Sequence, residues 1–219
     1  MTRLVILGMI NLSIFVLSQN SNAEKNTYKL PELLKRVEAK YKESKTLTAK
    51  FNQLNQSSTL GVTKENKGDL WVKRPNLLRW QTYEPDANLL VSNGKKFWFY
   101  TPPFDEEEPG QVIIKKSSEA HSKLANALMS GSFSLVKDVK LKAKGENHFI
   151  IIPKKGTAGD LTQAEVFIEK GTLYIYKIIL KHKGGNRSTI LLSSIQLGKV
   201  IKDSLFNFDP PSGTEVFEE

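Results

Sequence analysis

The chain has 219 residues, 39% of them hydrophobic and none of them cysteine. That length suits one domain with a packed core, and the lack of cysteine excludes disulfides and thiolate metal sites. Lys and Arg (32) outnumber Asp and Glu (23) for a net charge of +9. This excess favours an acidic partner, although dispersed lysines also serve solubility alone.

The first predicted element is an export signal. Arg3 is the only charged residue among the first 23, and an apolar run, Leu4–Leu17, follows it. The run is shorter than the roughly 20 residues that span a bilayer, so a retained anchor is the weaker alternative. With small residues at Ser21–Ala23, we predict a signal peptide over 1–23 and one mature, soluble domain over 24–219. Nucleic acid is not an expected partner of an exported protein.

Two helices are predicted along the mature chain. Pro31 suits a first helical turn, and the apolar spacing after it predicts an amphipathic helix over about 30–46. Its apolar face consists of Leu30, Leu33, Leu34, Val37 and Tyr41. A shorter helix is predicted over about 118–130, where Gly131 can end it.

Most other segments are predicted strands with short connections. Asn93-Gly94 is a strong hairpin signal. The predicted strands include Leu89–Ser92, Lys95–Tyr100, a segment through Val139 and Leu141, His148–Ile152, Glu165–Glu169, Thr172–Lys181, Arg187–Leu197 and Leu205–Phe208. This pattern predicts a mainly β (α+β) fold, an antiparallel meander that curls into a half-barrel with the 30–46 helix as its lid. If side chains do not fill the enclosed space, it forms a lipid-sized pocket.

Motifs for catalysis and metal binding are absent from the sequence. His121, His148 and His182 stand apart without metal-ligand spacing, and no G-x-S-x-G, P-loop or G-x-G-x-x-G occurs. A paired-carboxylate site stays open, because acidic residues are plentiful. We expect no metal, no cofactor and no enzymatic activity.

The stretch Gly68–Trp80, GDLWVKRPNLLRW, closely resembles the signature hairpin of the LolA family, periplasmic carriers of outer-membrane lipoproteins. The similarity includes Phe51–Gln53, Pro85-Asp86, Leu90–Lys95, Trp98–Tyr100 and Phe206–Gly213. It implies an unclosed antiparallel barrel covered by helices, with a hydrophobic cavity for lipoprotein acyl chains and no cofactor. It also implies loading from an inner-membrane ABC transporter and delivery to an outer-membrane lipoprotein receptor. We expect the carrier to be a monomer.

Strand alternation and the resemblance together predict the site residues. Leu70 and Val72 share one face of the first hairpin strand, as Leu78 and Trp80 do in the second. The predicted acyl-chain cavity is lined by Leu34, Val37, Tyr41, Leu70, Val72, Leu78, Trp80 and Leu128. Leu78 departs from the aromatic residue that the family has there. Plain core packing is the competing interpretation of every one of these residues.

Arg74 lies where the first hairpin strand ends, at the predicted rim of the cavity. Its five fixed donors could bond the backbone of a covering helix. The position matches the arginine that latches the lid in the LolA family. The alternative is an ordinary exposed arginine before a turn.

Two other functions compete with the carrier. A lipoprotein- or lipid-sensing envelope regulator can share the half-barrel, usually with an additional domain. An enzyme acting on envelope lipids or glycans would need a polar constellation in the cavity. The carrier instead predicts an apolar pocket of at least several hundred Å³.

Overall fold

The computed structural model of the protein describes residues 30–105, 108–116, 131, 139–154 and 158–218. Within these ranges it has one α-helix, α1 (Glu32–Glu43), and one twelve-stranded sheet. The strands are β1 (Thr46–Gln56), β2 (Thr63–Lys73), β3 (Leu77–Glu84), β4 (Asn88–Asn93), β5 (Lys96–Thr101), β6 (Gln111–Lys116), β7 (Val139–Ala143), β8 (His148–Pro153), β9 (Leu161–Ile168), β10 (Ile175–His182), β11 (Arg187–Leu197) and β12 (Glu215–Glu218). The predicted signal peptide, the predicted helix over 118–130 and Leu128 lie outside the described residues.

The sheet consists of two antiparallel meanders that meet at β1 and β11. The strand order is β12-β6-β5-β4-β3-β2-β1-β11-β10-β9-β8-β7, so the sheet is open, with edges at β12 and β7. The long β1–β11 ladder, from Leu47 opposite Leu197 to Gln56 opposite Arg187, joins the two meanders. The prediction of a mainly β, unclosed antiparallel sheet with a covering helix is confirmed. The exception is β12, which pairs parallel to β6 and was not predicted.

The helix is shorter than the predicted 30–46. Pro31 precedes it in an extended conformation, and its carbonyl accepts the first helical hydrogen bond, from the Lys35 amide, at 3.1 Å. Ser44 is extended again (φ −95°, ψ 107°), and β1 begins two residues later. The helix therefore reaches the sheet through a very short connection.

The predicted strand over Leu205–Phe208 is wrong. Asp203–Phe206 is a turn of 3-10 helix in which the Leu205 amide bonds the Lys202 carbonyl at 3.1 Å. The amino-acid composition of this segment is typical of a strand. Phe206 is fully buried, however, and its side chain anchors a loop against the sheet. The β pattern in this segment reflects burial of aromatic rings, which a packed loop achieves equally well.

The main core lies between the sheet and α1, on what we call the inner face. Leu34, Val37 and Tyr41 of the helix belong to one buried cluster with Leu47 and Phe51 of β1. Other members come from strands of both meanders: Leu70, Val72, Trp80, Leu90, Phe97, Phe149, Val166, Ile178 and Ile190. The inner face is therefore a mainly apolar surface that extends across both meanders.

The opposite, outer face is crossed by a segment that we call the strap, residues 198–214, which runs from β11 to β12. The strap packs Phe208 against a second, smaller cluster around Val91 and Trp98. Polar contacts fasten it, among them Thr46 Oγ1 to the Lys199 carbonyl at 2.7 Å and Arg79 Nη1 to the Leu205 carbonyl at 3.3 Å. The strap carries the chain back to the far edge, where β12 pairs with β6.

Candidate functional site: the inner face beneath α1

The β2–β3 hairpin carries most of the predicted cavity residues. Register pairs Leu70 with Trp80 and Val72 with Leu78, so all four side chains share the inner face. Leu70 is 1% exposed, Val72 5% and Trp80 5%, whereas Leu78 is half-buried and packs against the same cluster. The alternation read from the sequence thus brings these residues together on the face that α1 covers.

Gly68 permits a close approach at the start of the hairpin. A Cβ atom there would lie 1.9 Å from the Gln81 carbonyl oxygen and 2.7 Å from the Phe51 ring. The missing side chain lets Phe51 reach Trp80, with ring centroids 4.1 Å apart. The glycine of the signature stretch therefore makes room for an aromatic pair at the centre of the inner face.

The helix side of the site consists of Leu34, Val37 and Tyr41, which are 0%, 0% and 1% exposed. Their spacing of three and four residues places them on one face of α1, as predicted. In this conformation they pack within the core cluster of the sheet, so protein side chains occupy the position predicted for acyl chains. A ligand could enter this position only after α1 moves away from the sheet.

Arg74 contacts the C-terminal turn of this helix. Its Nη1 donates at 2.5 Å to the carbonyl of Ser44, the residue directly after α1. Its guanidinium lies 5.4 Å from the centre of the Tyr41 ring. The Arg74 amide also donates to the Lys45 carbonyl at 2.8 Å. Burial lowers the pKa of Arg74 below its ordinary value, and the nearby Tyr41 opposes this effect. Arg74 is therefore a half-buried cation that binds the exposed carbonyl end of the helix.

A second basic contact to the helix was not predicted. Lys40 Nζ donates to the Thr172 carbonyl, in the turn between β9 and β10, at 2.6 Å and lies 4.7 Å from the centre of the Tyr174 ring. The sequence offers no local signal for this contact, because Lys40 and Thr172 are 132 positions apart. Lys40 and Arg74 thus hold α1 against both halves of the sheet.

Tyr41 links these parts of the site. Its hydroxyl accepts a hydrogen bond from the Ile175 amide at 3.0 Å, and a Cβ atom on Gly131 would lie 2.7 Å from its ring. Burial raises the pKa of Tyr41 to about 12, although the Ile175 hydrogen bond and the charge of Arg74 lower it in part. The phenol is therefore a neutral, tightly enclosed part of the helix–sheet contact.

A titratable cluster lies on the other face of the sheet. Glu165 alternates with Ala164 and Val166 of the core cluster, so its side chain points to the outer face. Its carboxylate contacts Lys181 Nζ at 2.8 Å and His148 Nε2 at 2.7 Å. Burial alone would raise the pKa of Glu165, but the hydrogen bonds from Lys181 and His148 outweigh it and lower that pKa. This arrangement is a partly buried polar cluster around Glu165, away from the apolar site.

A cavity of about 440 Å³ also lies on the outer face, beneath the strap. Its lining residues are Thr48, Trp71, Arg79, Lys199, Val200, Ile201, Lys202, Ser204 and Leu205. Trp71 and Arg79 alternate with Leu70, Val72, Leu78 and Trp80, so this cavity is separated from the predicted site by the sheet itself. Within the described ranges, no group of His, Cys, Asp or Glu could hold a metal ion, and no helix is long and apolar enough to cross a membrane.

Comparison with known proteins gives a consistent result. Residues 42–209 match the family model for outer membrane lipoprotein carrier protein LolA. An outer-membrane lipoprotein carrier protein of Klebsiella pneumoniae is 32% identical over 78% of this chain and 80% of that protein, and one of Azotobacter vinelandii is 29% identical over 96% and 97%. An uncharacterized conserved protein of Thermus thermophilus shares the fold, with a TM-score of 0.52 at 14% identity over 86% of this chain and 98% of that chain. The chain belongs to the LolA family of outer membrane lipoprotein carrier proteins.

Proposed function

We propose that this protein carries lipoproteins through the periplasm and binds their acyl chains on the inner face, in the place that α1 occupies in the closed form. The observation that supports this most directly is a mainly apolar sheet face that α1 covers through Leu34, Val37 and Tyr41. The carrier needs no catalytic activity of its own. Family membership supports the cargo class, since the related proteins are named for lipoprotein transport.

The energetics explain why such a cargo needs a carrier. Burying a methylene contributes about 0.8 kcal/mol, so one chain of about 16 carbons represents roughly 12 kcal/mol. A protein with several such chains cannot cross an aqueous compartment unshielded. When acyl chains replace the side chains of α1, the inner face stays covered by hydrocarbon. Most of the hydrophobic free energy lost when α1 leaves the sheet is therefore regained.

Release of the cargo requires interactions that stabilise the closed form. Arg74 bonds to Ser44 and Lys40 bonds to Thr172 while α1 lies on the sheet, and displacing α1 would break these contacts. We infer that these contacts act as latches: they stabilise the empty, closed protein and thereby weaken its affinity for acyl chains. The latch role of Arg74 matches the role that the LolA signature implies for this position.

The partners follow from this cycle. We propose that an inner-membrane lipoprotein-releasing ABC transporter loads the protein and that an outer-membrane lipoprotein receptor accepts the cargo. The net positive charge suits an acidic surface on either partner.

The direct test is mass spectrometry of the protein purified from periplasm. We expect triacylated proteins to co-purify with the wild-type protein. Leu34→Arg, which places a charge in the apolar contact, should reduce the amount, whereas Arg36→Leu on the exposed side of α1 should not. A wild-type protein without bound lipoprotein, and unable to keep one dispersed in water, would contradict the carrier. A protein that binds lipoprotein but cannot pass it to a receptor would instead indicate a sensor.

A further inference from the structure

Trp80 presents an unpaired donor in the middle of the inner face. Its side chain is 5% exposed, yet no acceptor among the described residues bonds its indole Nε1–H. Buried tryptophans usually pair this group, and an unpaired buried N–H costs free energy. A phenylalanine would fill an apolar core without that cost, so the unpaired N–H at this position calls for a functional explanation.

The position of Trp80 along the sheet supplies one. Towards β1 its row is apolar, with Leu70 and Ala49 as successive cross-strand neighbours. One row further along, the buried Thr82 lies opposite Gly68, and Phe51 follows in the same row. In the row beyond, the buried Gln53 and Asn66 are cross-strand neighbours on β1 and β2. The first buried polar side chain of this hairpin therefore lies one row from Trp80, within a face that is otherwise mainly apolar.

The carbonyl oxygen at the head of an acyl chain needs a hydrogen-bond donor when it is buried in such a site. Every acyl group begins at an ester or amide carbonyl, and burying that oxygen without a hydrogen bond is costly. The chain can lie on the apolar side chains while its carbonyl oxygen reaches the Trp80 indole, one row from the buried Thr82. Two groups that are each costly when unpaired then satisfy one another.

We infer that the Trp80 indole Nε1–H donates to the carbonyl at the head of a bound acyl chain and so sets how deeply the chain enters the site. This inference rests on the proposed carrier function and adds a specificity: the protein distinguishes acyl chains from alkyl chains of the same length. In the closed form the donor is left unpaired. In the loaded form it is paired, which favours loading.

The test compares two synthetic lipopeptides that differ only in their chain linkage, one with ester-linked chains and one with ether-linked chains that lack the carbonyl. Dissociation constants are measured by calorimetry for the wild type, Trp80→Phe and Trp71→Phe. The last variant is the matched control, because Trp71 points to the outer face. We expect the wild type and Trp71→Phe to prefer the ester by about five- to tenfold, the factor that one hydrogen bond provides. Trp80→Phe should bind the two lipopeptides equally, because it lacks the donor that distinguishes them.

The outcomes separate the inference from the function on which it rests. If Trp80→Phe keeps the ester preference, the inference is wrong and the carrier function stands. If the wild type binds neither lipopeptide, the carrier function itself fails. If Trp80→Phe does not fold, the test is the NMR signals of the indole N–H protons in the wild type. The chain has only three tryptophans, so these signals are few. The Trp80 N–H proton should move downfield with the ester and not with the ether, and an unchanged resonance in the ester complex overturns the inference.

Discussion

Arg74→Leu is the most informative perturbation of the closed form. It removes a charge-assisted hydrogen bond to Ser44, worth about 1.5–3 kcal/mol, and a cation–π contact with Tyr41, worth about 0.5–1 kcal/mol. Part of this loss is offset, because the leucine no longer buries a cation. We expect the free energy of unfolding of the empty protein to fall by about 2 kcal/mol.

The same change should strengthen lipid binding if the contact is a latch. The loaded form, with α1 displaced, has already lost this contact, so the variant destabilises only the closed form. A difference of about 2 kcal/mol corresponds to a dissociation constant roughly 30-fold lower, which means tighter binding. Hand-over to the receptor should slow accordingly, and Arg74→Lys should be intermediate because an ammonium cannot reproduce the planar fork.

The assays are urea unfolding of the empty protein, titration with a fluorescent lipopeptide and transfer of lipoprotein to the receptor. Arg79→Leu is the matched control: Arg79 is also half-buried and donates to a backbone carbonyl, but it bonds Leu205 of the strap on the outer face. It should lower stability without raising lipid affinity. The latch is refuted if Arg74→Leu lowers stability but leaves lipid affinity unchanged, and Arg74 is only a surface charge if neither quantity changes.

Three further predictions concern the same contact region. Lys40→Met should cost about 1–2 kcal/mol by urea unfolding and raise lipopeptide affinity about tenfold, because it removes the bond to Thr172; unchanged affinity would limit Lys40 to a structural role. Gly68→Ala should lower the unfolding midpoint strongly, since its Cβ would lie 1.9 Å from a carbonyl oxygen, whereas Gly171→Ala, which meets no atom within 4 Å, should be close to neutral; equal effects would contradict the close approach. The pKa of Tyr41 is raised to about 12 in the folded state, whereas the phenol of the unfolded chain ionises near its ordinary value of 10.0. The contribution of Tyr41 to the free energy of unfolding should therefore be constant below pH 10 and fall by about 3 kcal/mol between pH 10 and 12. Tyr41→Phe should show a smaller fall over that range in urea unfolding, and an identical fall would exclude Tyr41 as its cause.

Periodicity in the sequence is enough to predict which side chains share a face of a strand or helix. The period of two places Leu70 with Val72 in β2 and Leu78 with Trp80 in β3, and the period of 3.6 places Val37 and Tyr41 on one side of the helix. These relations hold within a single element, so they need no knowledge of what packs against it. The antiparallel order of each meander follows equally from short connections.

What each face contacts depends on segments that are far apart in the chain. The pairing of β1 with β11 joins Leu47 to Leu197 across 150 positions, and no local pattern specifies that partner. The sequence pattern of Leu205–Phe208 is equally compatible with a strand and with the strap, since Phe206 is buried in either conformation. Lys40 at the Thr172 carbonyl and the unpaired N–H of Trp80 are likewise visible only after distant segments meet, because a hydrogen bond depends on where its partner comes to lie.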